Sequence, residues 1–478
     1  MKNHSVVIVG AGPTGMMLGA ELKLAGVDVA IVERRPTPEL SGARAGGRGL
    51  HTRTIEIFDM RGIADRFLAE GTKFSGPGFN HVQLTLSDFP TRHPYALALL
   101  QKHTERIMAG WIGELGVTVY RSREITAFTQ DERGVTAQIS DGSVFRADYL
   151  VGCDGGRSLV RKLCGIDFPG WDASTSWLIA EAEMTEKPPF GFKQTAVGSH
   201  AIGPVEGRIG LALAERAVRD TGERTLEDLK QTLVEVYGTD FGVHSSNFIS
   251  SFTDTARQAA TYRKGRVLLA GDAAHIHAPL GGLGLNLGVQ DAVNLGWKLA
   301  QVVKGISPDW LLDTYEAERR PVGARVLKNS LAHVAVRRVD DRSEILSEYV
   351  TEWLKTDEVR KQMAGEMSGL GIRYELGDGH PLLGRRIPDL ALDTANGPIQ
   401  LFALLREARP LLINLGESRH ADDRVRCIDA RYEGKWELPV IGAVPAPSAV
   451  LVRPDGYVAW VEDGTSTSLN ETITRWFG

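Results

Sequence analysis

Three glycines and one glutamate near the N-terminus have the spacing of a dinucleotide site. Gly10, Gly12 and Gly15 follow an apolar run, and Glu33 stands about 20 residues further along. Glycines at these positions permit a tight turn and let backbone N–H groups approach a pyrophosphate, which the start of the next helix stabilises. A carboxylate at Glu33 can accept a hydrogen bond from a ribose hydroxyl and would repel a 2′-phosphate. The pattern predicts FAD or NAD, not NADP, at this turn.

A second glycine-rich turn lies in the stretch LLAGDAAHIHAPLGGLGLNLGVQDAVNLGWKLA, residues 268–300. Asp272 follows an apolar strand and suits the hydroxyls of a polyol chain. The loop at residues 279–284 has little side-chain bulk, so a flat ring can lie against its backbone. The dipole of the following helix favours the anionic, reduced form of a flavin. Because NAD needs no such second site, we expect the two turns to hold opposite ends of one FAD.

Three further places in the sequence each allow two interpretations. Asp154 and Gly155 end a strand before a helix, and they form either a capped turn or a second layer that supports the pyrophosphate or receives the reductant. Arg48 is either a solvated loop arginine or a planar cation that stacks on the flavin or contacts a phenolate. Gln101 either only begins a helix or contacts the ribityl region of the flavin.

Two other residue groups could do chemistry. His275 and His277 form an HxH pair of the kind that can chelate zinc, but no third ligand appears nearby and no acid stands ready as a base. We therefore predict histidines that anchor the turn, and no metal site. Aromatic side chains are either ordinary core residues or the wall of a substrate pocket. The pocket candidates are Phe74, Phe79, Trp177, Phe190 and Phe192.

The elements that must position these residues alternate between strands and helices. The stretch SVVIVGAGPTGMMLGAELKLAGVDVAIVERR predicts a strand, a glycine turn, a helix and a second strand, which is one βαβ unit of a parallel sheet. From about residue 171 to 252 the pattern changes to strands and an amphipathic helix capped by Thr225. After it, GRVLLAGDAAH returns to a buried strand. We predict a Rossmann-like α/β domain interrupted by an inserted α+β domain.

Composition excludes several classes of protein. The chain has 478 residues, a formal net charge of -5 and 42% hydrophobic residues, which is ordinary for a globular protein of two or three domains. It shows no basic tract for nucleic acid, no membrane-length apolar run and no signal-peptide pattern. Cys153, Cys164 and Cys427 form no CxxC pair, which fits a reducing compartment. We expect a cytoplasmic protein that binds neither nucleic acid nor membrane.

Taken together, the glycine fingerprint and the Asp154 and Asp272 motifs resemble the single-component, FAD-dependent aromatic hydroxylases, the class A flavoprotein monooxygenases. Within them, the chain is similar to polyketide hydroxylases and rifampicin monooxygenases. The likeness spans essentially the whole chain and is carried by RGLHTRTIEIFDMRGIADRFL, TDFGVHS, YRKGRVLLAGDAAHIHAPLGGLGLNLGVQDAVNLGWKL, LLGRRIPDLAL and RPDGYVAW.

The resemblance implies a domain layout. An FAD-binding domain is expected at residues 1–170 and 256–375, the second part with connecting helices. A substrate-binding domain is expected at 171–255 and a thioredoxin-like domain at 376–478. The last domain has no CxxC pair, so we expect no redox role for it.

The resemblance also assigns residue roles. Asp154 belongs to a motif linked to FAD and NAD(P)H, Asp272 would hold the ribityl chain, and Arg48 would guard a mobile flavin. The catalytic candidates at the flavin ring are Arg48, Pro279 and Gly282. The predicted cofactor contacts are Gly10, Gly12, Pro13, Thr14, Gly15, Glu33, Arg34, Arg44, Arg48, Gln101, Asp154, Gly155, Gly271, Asp272, Pro279, Gly281, Gly282, Leu283, Gly284, Leu285 and Asn286.

The sequence departs from the family pattern in two places. Leu283 stands where the family commonly has glutamine, and Gly46 and Gly47 look like an insertion before Arg48. Both departures lie near the expected flavin ring and therefore bear on its resting position.

By this resemblance the chain is a monooxygenase. NADPH or NADH would reduce FAD, oxygen would add to give a C4a-hydroperoxide, and one oxygen atom would pass to an electron-rich ring. The expected substrate is a phenolic aromatic compound, such as a polyketide or a rifamycin-type antibiotic. The alternatives are a Baeyer–Villiger or epoxidising monooxygenase on the same scaffold, and a flavoprotein that only sequesters its ligand. NADPH versus NADH, and monomer versus homodimer, stay open.

Overall fold

The computed structural model describes residues 1–39, 48–218, 224–462 and 467–478. The predictions for Arg44, for Gly46 and Gly47 and for the Arg48 side chain fall outside the described part of the chain. In that part, no helix is long and apolar enough to cross a membrane.

The described helices and strands follow the alternation that the sequence predicts. The helices are α1 Pro13–Leu24, α2 Thr52–Met60, α3 Ala64–Leu68, α4 Gln101–Glu114, α5 Leu159–Leu163, α6 Leu226–Tyr237, α7 Leu283–Val303, α8 Asp313–Ala335, α9 Asp341–Trp353, α10 Asp357–Ser368 and α11 Leu469–Phe477. The strands before the middle domain are β1 Lys2–Val9, β2 Val29–Val32, β3 Arg48–Leu50, β4 Thr72–Phe74, β5 Gly78–Phe79, β6 Val82–Gln83, β7 Ala96–Leu100, β8 Thr118–Tyr120, β9 Ile125–Asp131, β10 Gly134–Ile139 and β11 Val144–Gly152.

The remaining strands belong to the middle of the chain and to its C-terminal part. Those in the middle are β12 Gly170–Trp171, β13 Ser176–Met184, β14 Gly191–Thr195, β15 Gly198–Val205, β16 Arg208–Ala214, β17 Val243–Thr253, β18 Ala256–Gln258, β19 Arg263–Lys264, β20 Val267–Leu269 and β21 His275–Ile276. Those in the C-terminal part are β22 Ala391–Thr394, β23 Gly397–Gln400, β24 Leu411–Asn414, β25 Arg426–Arg431, β26 Glu437–Leu438, β27 Gly442–Ala443, β28 Ala449–Val452 and β29 Val458–Val461.

The nucleotide domain is built on a largely parallel sheet with strand order β19-β20-β11-β1-β2-β8. β20, β11, β1, β2 and β8 are parallel neighbours, and the β9–β10 hairpin extends β11. The last four residues of β1 and all of β2 are buried, as expected for strands covered on both faces. The predicted Rossmann-like βαβ unit is confirmed. The predicted return of the chain to this sheet after the middle domain, at β20, is confirmed as well.

The middle domain is an antiparallel sheet with strand order β14-β15-β16-β13-β17. One face is covered by α6, whose Leu229 and Leu233 are buried against Leu178 and Leu211. α6 begins at Thr225, which accepts a hydrogen bond from the Asp228 N–H at 3.2 Å in a capping box. The predicted N-cap is confirmed. The other sheet face is left free to line a cavity.

The C-terminal domain has a sheet with strand order β23-β22-β25-β24-β28-β29, in which β24 and β25 are parallel. It has the predicted thioredoxin-like architecture. Fully buried ions attach it to the nucleotide domain, because Arg453 donates to Glu318 of α8 at 2.6 Å and Lys298 of α7 donates to the same carboxylate at 2.9 Å. Burial by itself would raise the pKa of Glu318, but Arg453 and Lys298 hold it at about 2. The C-terminal domain therefore holds the part of α7 around Lys298 in place.

Candidate active site

The first glycine turn is shaped so that side chains are excluded where the backbone must close. Gly10 has a φ of 102°, and a Cβ there would lie 2.5 Å from the Cys153 carbonyl oxygen. A Cβ on Gly15 would lie 2.0 Å from the Gly10 oxygen. Gly12, in contrast, faces open space and precedes α1 without a side-chain cap. The first N–H groups of α1 are therefore available for an anion.

Glu33 is the acid that organises this turn. It accepts hydrogen bonds from the Ala11 N–H at 2.7 Å and the Arg35 N–H at 2.8 Å. Burial alone would raise its pKa, but these bonds and the Arg35 guanidinium hold the pKa below its usual 4.5. Arg35 also donates to Glu105 at 3.0 Å, and Glu105 accepts from Gln101 at 2.8 Å. A polar chain thus links Glu33 to Gln101. Arg34 is exposed just after β2.

The Asp154 segment forms the capped turn, one of its two predicted interpretations. Asp154 Oδ2 accepts from the N–H groups of Leu159 and Val160 at 2.7 and 3.1 Å, which is the capped turn. Its Oδ1 is buried and has no hydrogen-bond partner among the described residues, so it is available to a ligand. Arg161 follows on α5, and its side chain points inward. It is buried and donates to the Ala273 carbonyl at 2.8 Å, which ties this segment to the second glycine turn.

The two glycine turns touch each other through Thr14. A Cβ on Gly271 would lie 2.5 Å from Thr14 Oγ1, and one on Gly288 would lie 2.2 Å from the same atom. Gly271 also has a φ of 63°. Thr14 therefore packs where only glycine backbone can accept it, and α1 and α7 are held side by side.

A buried acid supports the second turn. Asp291 accepts from the Gly271 N–H at 3.2 Å, from His275 Nε2 at 2.7 Å and from Arg319 Nε at 2.7 Å. Sequence reasoning missed this acid beside His275, because α7 brings Asp291 back to it from 16 residues further along the chain. Both histidines anchor the turn, since His277 Nδ1 lies 2.7 Å from the Ala278 oxygen. Among the described residues, no group of three or more His, Cys, Asp or Glu side chains could hold a metal ion.

The loop before α7 is built on two successive left-handed glycines. Gly281 has a φ of 74° and Gly282 a φ of 67°, after which α7 begins at Leu283. Asn286 is buried and accepts from the His51 N–H at 2.8 Å. It donates to the carbonyls of Gly282 at 2.7 Å and Gly49 at 3.1 Å. Asn286 therefore joins the loop before α7 to the segment that follows β3.

A cavity of about 950 Å³, which we call the central cavity, lies between this loop and the free face of the middle sheet. The predicted cofactor residues that line it are Gln101, Asp272, Pro279, Gly282, Gly284 and Leu285. Trp177 and Phe252 form part of the opposite wall, and their rings stack 5.1 Å apart. The structure thus brings the second glycine turn and an aromatic sheet face to one space.

Of the five aromatic pocket candidates, only Trp177 and Phe192 line the central cavity. The other three need correction. Phe79 is buried in a separate apolar cluster with Leu283 and Met367, because the β5–β6 hairpin that carries it packs on α7 and α10. Phe190 is exposed and has Lys187 over its ring. Phe74 lies on β4, which pairs with β7 in another sheet.

Leu283 also faces away from the central cavity. Its side chain is buried in the same cluster as Phe79, so only its backbone lies at the start of α7. Sequence reasoning missed other residues of the site. Gly49 and Leu50 line the cavity, as do His200 and Arg337. Gly49 and Leu50 stand in the stretch RGLHTRT that carries the resemblance, whereas His200 and Arg337 stand in no motif and have no local signal in the sequence.

Comparison with known proteins agrees with this geometry. Residues 3–330 match the family described as FAD binding domain, and residues 380–478 match the family described as aromatic-ring hydroxylase, C-terminal. The chain belongs to the FAD-dependent aromatic-ring hydroxylases. This hydroxylase is an oxidoreductase, a monooxygenase whose cofactor is FAD, and NAD(P)H and O2 are typical cosubstrates of its class.

The hydroxylase is similar to named enzymes over its whole length. It is 44% identical to a 12-dehydrotetracycline 5-monooxygenase/anhydrotetracycline 6-monooxygenase of Streptomyces rimosus, with 99% of each chain covered. It is 41% identical to a rifampicin monooxygenase of Rhodococcus hoagii, covering 99% of this chain and 98% of that one. The solved OxyS anhydrotetracycline hydroxylase from Streptomyces rimosus superposes with a TM-score of 0.90 at 42% identity and covers 100% of this chain and 99% of that chain.

The residues of the hydroxylase fit FAD. Gly12 faces open space at the N-terminus of α1, where a pyrophosphate would be stabilised. Asp154 Oδ1 is buried without a described partner, and Asp272 is exposed on the wall of the central cavity. An extended cofactor that runs from Gly12 to Gly282 would meet all of these groups.

Proposed function

We propose that this enzyme inserts one oxygen atom into a large, flat phenolic substrate of the polyketide or rifamycin type. The observation that carries the proposal is the central cavity itself, because one space is bounded by the second glycine turn and by the Trp177–Phe252 pair. Its volume of about 950 Å³ is shared between the flavin end of FAD and the substrate. The relatives named for anhydrotetracycline and rifampicin support a large aromatic substrate.

The chain's contribution is to hold FAD at both ends. We propose that the N–H groups after Gly12 bind the pyrophosphate and that Glu33 and Arg34 lie at the adenosine end. Asp272 and Gln101 would bind the ribityl chain, with Asp154 Oδ1 as a further acceptor. Pro279 and Gly282, with the Arg48 side chain, would border the flavin ring. FAD, when bound, supplies the redox and oxygen-transfer chemistry.

The chain also shapes the environment of the reaction. The described wall of the central cavity is mostly apolar and includes Leu50, Leu99 and Ile179 together with the aromatic pair. Such a wall excludes water from the reacting atoms and leaves a flat substrate few orientations. The helix dipole of α7, whose N-cap is Gly282, favours negative charge at the adjoining ring.

The proposal is tested by turnover of the purified holoenzyme. We expect one or more compounds from a panel of tetracyclines, anthracyclines, rifamycins and simple phenols to stimulate NADPH oxidation and to gain one oxygen atom. The structure of the product separates ring hydroxylation from Baeyer–Villiger insertion or epoxidation, which add the same mass. A holoprotein that binds a panel compound but never forms an oxygenated product would favour ligand sequestration and contradict the proposal.

The three free cysteines support a reducing, cytoplasmic compartment, and a monomer or homodimer is expected.

A further inference from the structure

The wall of the central cavity carries charge in three separate places. Its described charged side chains are Glu181, Asp272, Arg337 and Arg338. Asp272 belongs to the second glycine turn, where the flavin end of FAD is expected. The two arginines follow the C-terminus of α8. The cations thus lie on a different element from the flavin-side acid.

Arg337 is held in place by two other elements. Its Nη2 lies 3.0 Å from His81 Nδ1, and its guanidinium carbon lies 6.0 Å from the centre of the Phe192 ring. His81 stands in the turn between β5 and β6, where Asn80 and His81 both have positive φ. Asn80 fastens that turn to α9 by donating to the Ser347 carbonyl at 3.0 Å. The guanidinium is therefore positioned before any substrate binds.

The charge of Arg337 is not compensated by its described neighbours. Burial lowers its pKa, and none of the described residues is found to raise it. Burial and, after it, the positive charge of Arg337 lower the pKa of both His81 and His333, the latter to about 3. Both imidazoles are consequently neutral near pH 7, and Arg337 is the cation of this group. A partly desolvated cation of this kind favours an anionic ligand.

Glu181 is too far away to neutralise Arg337. Phe192, which contacts Arg337, lies on β14 at one edge of the middle sheet. Glu181 lies on β13, three strands across in the order β14-β15-β16-β13. At about 4.8 Å per strand, the backbones of β14 and β13 lie roughly 14 Å apart, and no acid is found to raise the pKa of Arg337. Arg338 differs from Arg337, because it is exposed and lies close enough to Asp340 to help lower that acid's pKa.

We propose that Arg337 is the specificity-determining residue that binds an ionised oxygen of the aromatic substrate, either a phenolate or the enolate of a β-dicarbonyl. This inference rests on the proposed function. A planar guanidinium suits one or two oxygens in the plane of a ring, and its Nη1 takes part in none of the described hydrogen bonds. Binding of the ionised form also presents the more electron-rich ring for oxygen transfer.

The test measures equilibrium binding of two probe compounds to the FAD-loaded enzyme without NADPH. The change in flavin absorbance on binding is the signal. The probes are 2-hydroxyanthraquinone and its methyl ether, 2-methoxyanthraquinone, which share one ring system but differ in the ability to ionise. For the parent enzyme, affinity for the hydroxy compound should rise with pH through its ionisation, while affinity for the ether stays flat. A charge-assisted hydrogen bond corresponds to about a tenfold loss of affinity when it is removed.

We therefore expect Arg337→Met to weaken binding of the ionised probe about tenfold and binding of the ether less than about twofold. Arg337→Lys, which keeps the charge, should recover part of the loss. The matched control is Arg342→Met, since Arg342 is exposed on α9 and is not among the residues that line the cavity. Flavin content and melting temperature are compared first, so that a variant that fails to fold is recognised. If Arg337→Met fails to fold, the binding comparison is made with Arg337→Lys instead.

Three results would overturn the inference: a parent enzyme that shows no preference for the ionised probe, an Arg337→Met variant that loses neither probe, or one that loses both equally. The last result would assign Arg337 only to holding the His81 turn. Since this assay needs no turnover, a failure of oxygen insertion with intact charge-dependent binding would refute the proposed function alone.

Discussion

The Asn286→Ala variant tests whether the loop before α7 and the segment after β3 are held together by one side chain. Asn286 makes three hydrogen bonds, to the His51 N–H, the Gly282 carbonyl and the Gly49 carbonyl, at 2.8, 2.7 and 3.1 Å. His51 is buried, so its N–H would be left without a partner, at a cost of about 2 kcal/mol. The two glycines are partly accessible to water, so each lost bond there costs about 0.5–1 kcal/mol.

The free energy of unfolding should therefore fall by about 3–4 kcal/mol. Urea unfolding followed by circular dichroism measures this loss, and release of FAD fluorescence follows the site itself. Because the two joined segments flank the expected flavin ring, the holoprotein should lose more stability than the apoprotein. The control is Asn396→Ala, an exposed residue in the turn between β22 and β23, for which a change within about 0.5 kcal/mol is expected.

The reasoning would be refuted if Asn286→Ala unfolds at the same urea concentration as the Asn396→Ala control. A loss of the expected size that is equal in apoprotein and holoprotein would keep the structural role and contradict the link to the flavin.

Three further outcomes are expected. Gly15→Ala should abolish retention of FAD, measured by absorbance of the purified protein, because its Cβ would lie 2.0 Å from the Gly10 oxygen; Gly110→Ala in α4, where the space is open, should keep FAD and be stabilised by up to about 1 kcal/mol. Burial lowers the pKa of His200 from 6.5 to about 4. Between these two pH values the unfolded chain is protonated at His200 and the native state is not. Stability should consequently fall as pH drops from about 6.5 towards 4, and His200→Gln should flatten that decline in urea midpoints. Trp177→Ala should raise the KM for an aromatic substrate about tenfold, measured by oxygen uptake, through loss of the ring that stacks on the cavity wall; an unchanged KM would contradict that placement.

Local patterns were enough to predict the framework. The β1–α1–β2 unit follows from an apolar run, a glycine turn and helical spacing, all within residues 2–32. The interruption of the nucleotide domain follows from the return of a buried strand at β20. Thr225 was predictable as a helix cap because its hydroxyl and Asp228 form a capping box within four residues.

Long-range contacts were not predictable in the same way. Asp291 meets His275 from the next helix, and Arg161 reaches Ala273 across more than a hundred residues of chain. No local spacing marks either contact. The prediction that Phe79 lines the substrate pocket failed for a related reason. An aromatic residue type indicates burial, but it does not indicate which neighbours bury the ring. Arg337 lies in no sequence motif. Its place at the cavity follows only from the contacts that bring the end of α8, β14 and the β5–β6 turn together.

The measurement that tests the central claim most directly is the fate of molecular oxygen. The FAD-loaded enzyme is supplied with NADPH, heavy-oxygen-labelled O2 and each compound of the phenolic panel, and the products are examined by mass spectrometry and NMR. We expect one labelled oxygen atom on an aromatic carbon of a substrate that also accelerates NADPH oxidation. NADPH consumption that yields only hydrogen peroxide with every panel compound, or a product whose new oxygen comes from water, would contradict the assignment as a monooxygenase of phenolic substrates.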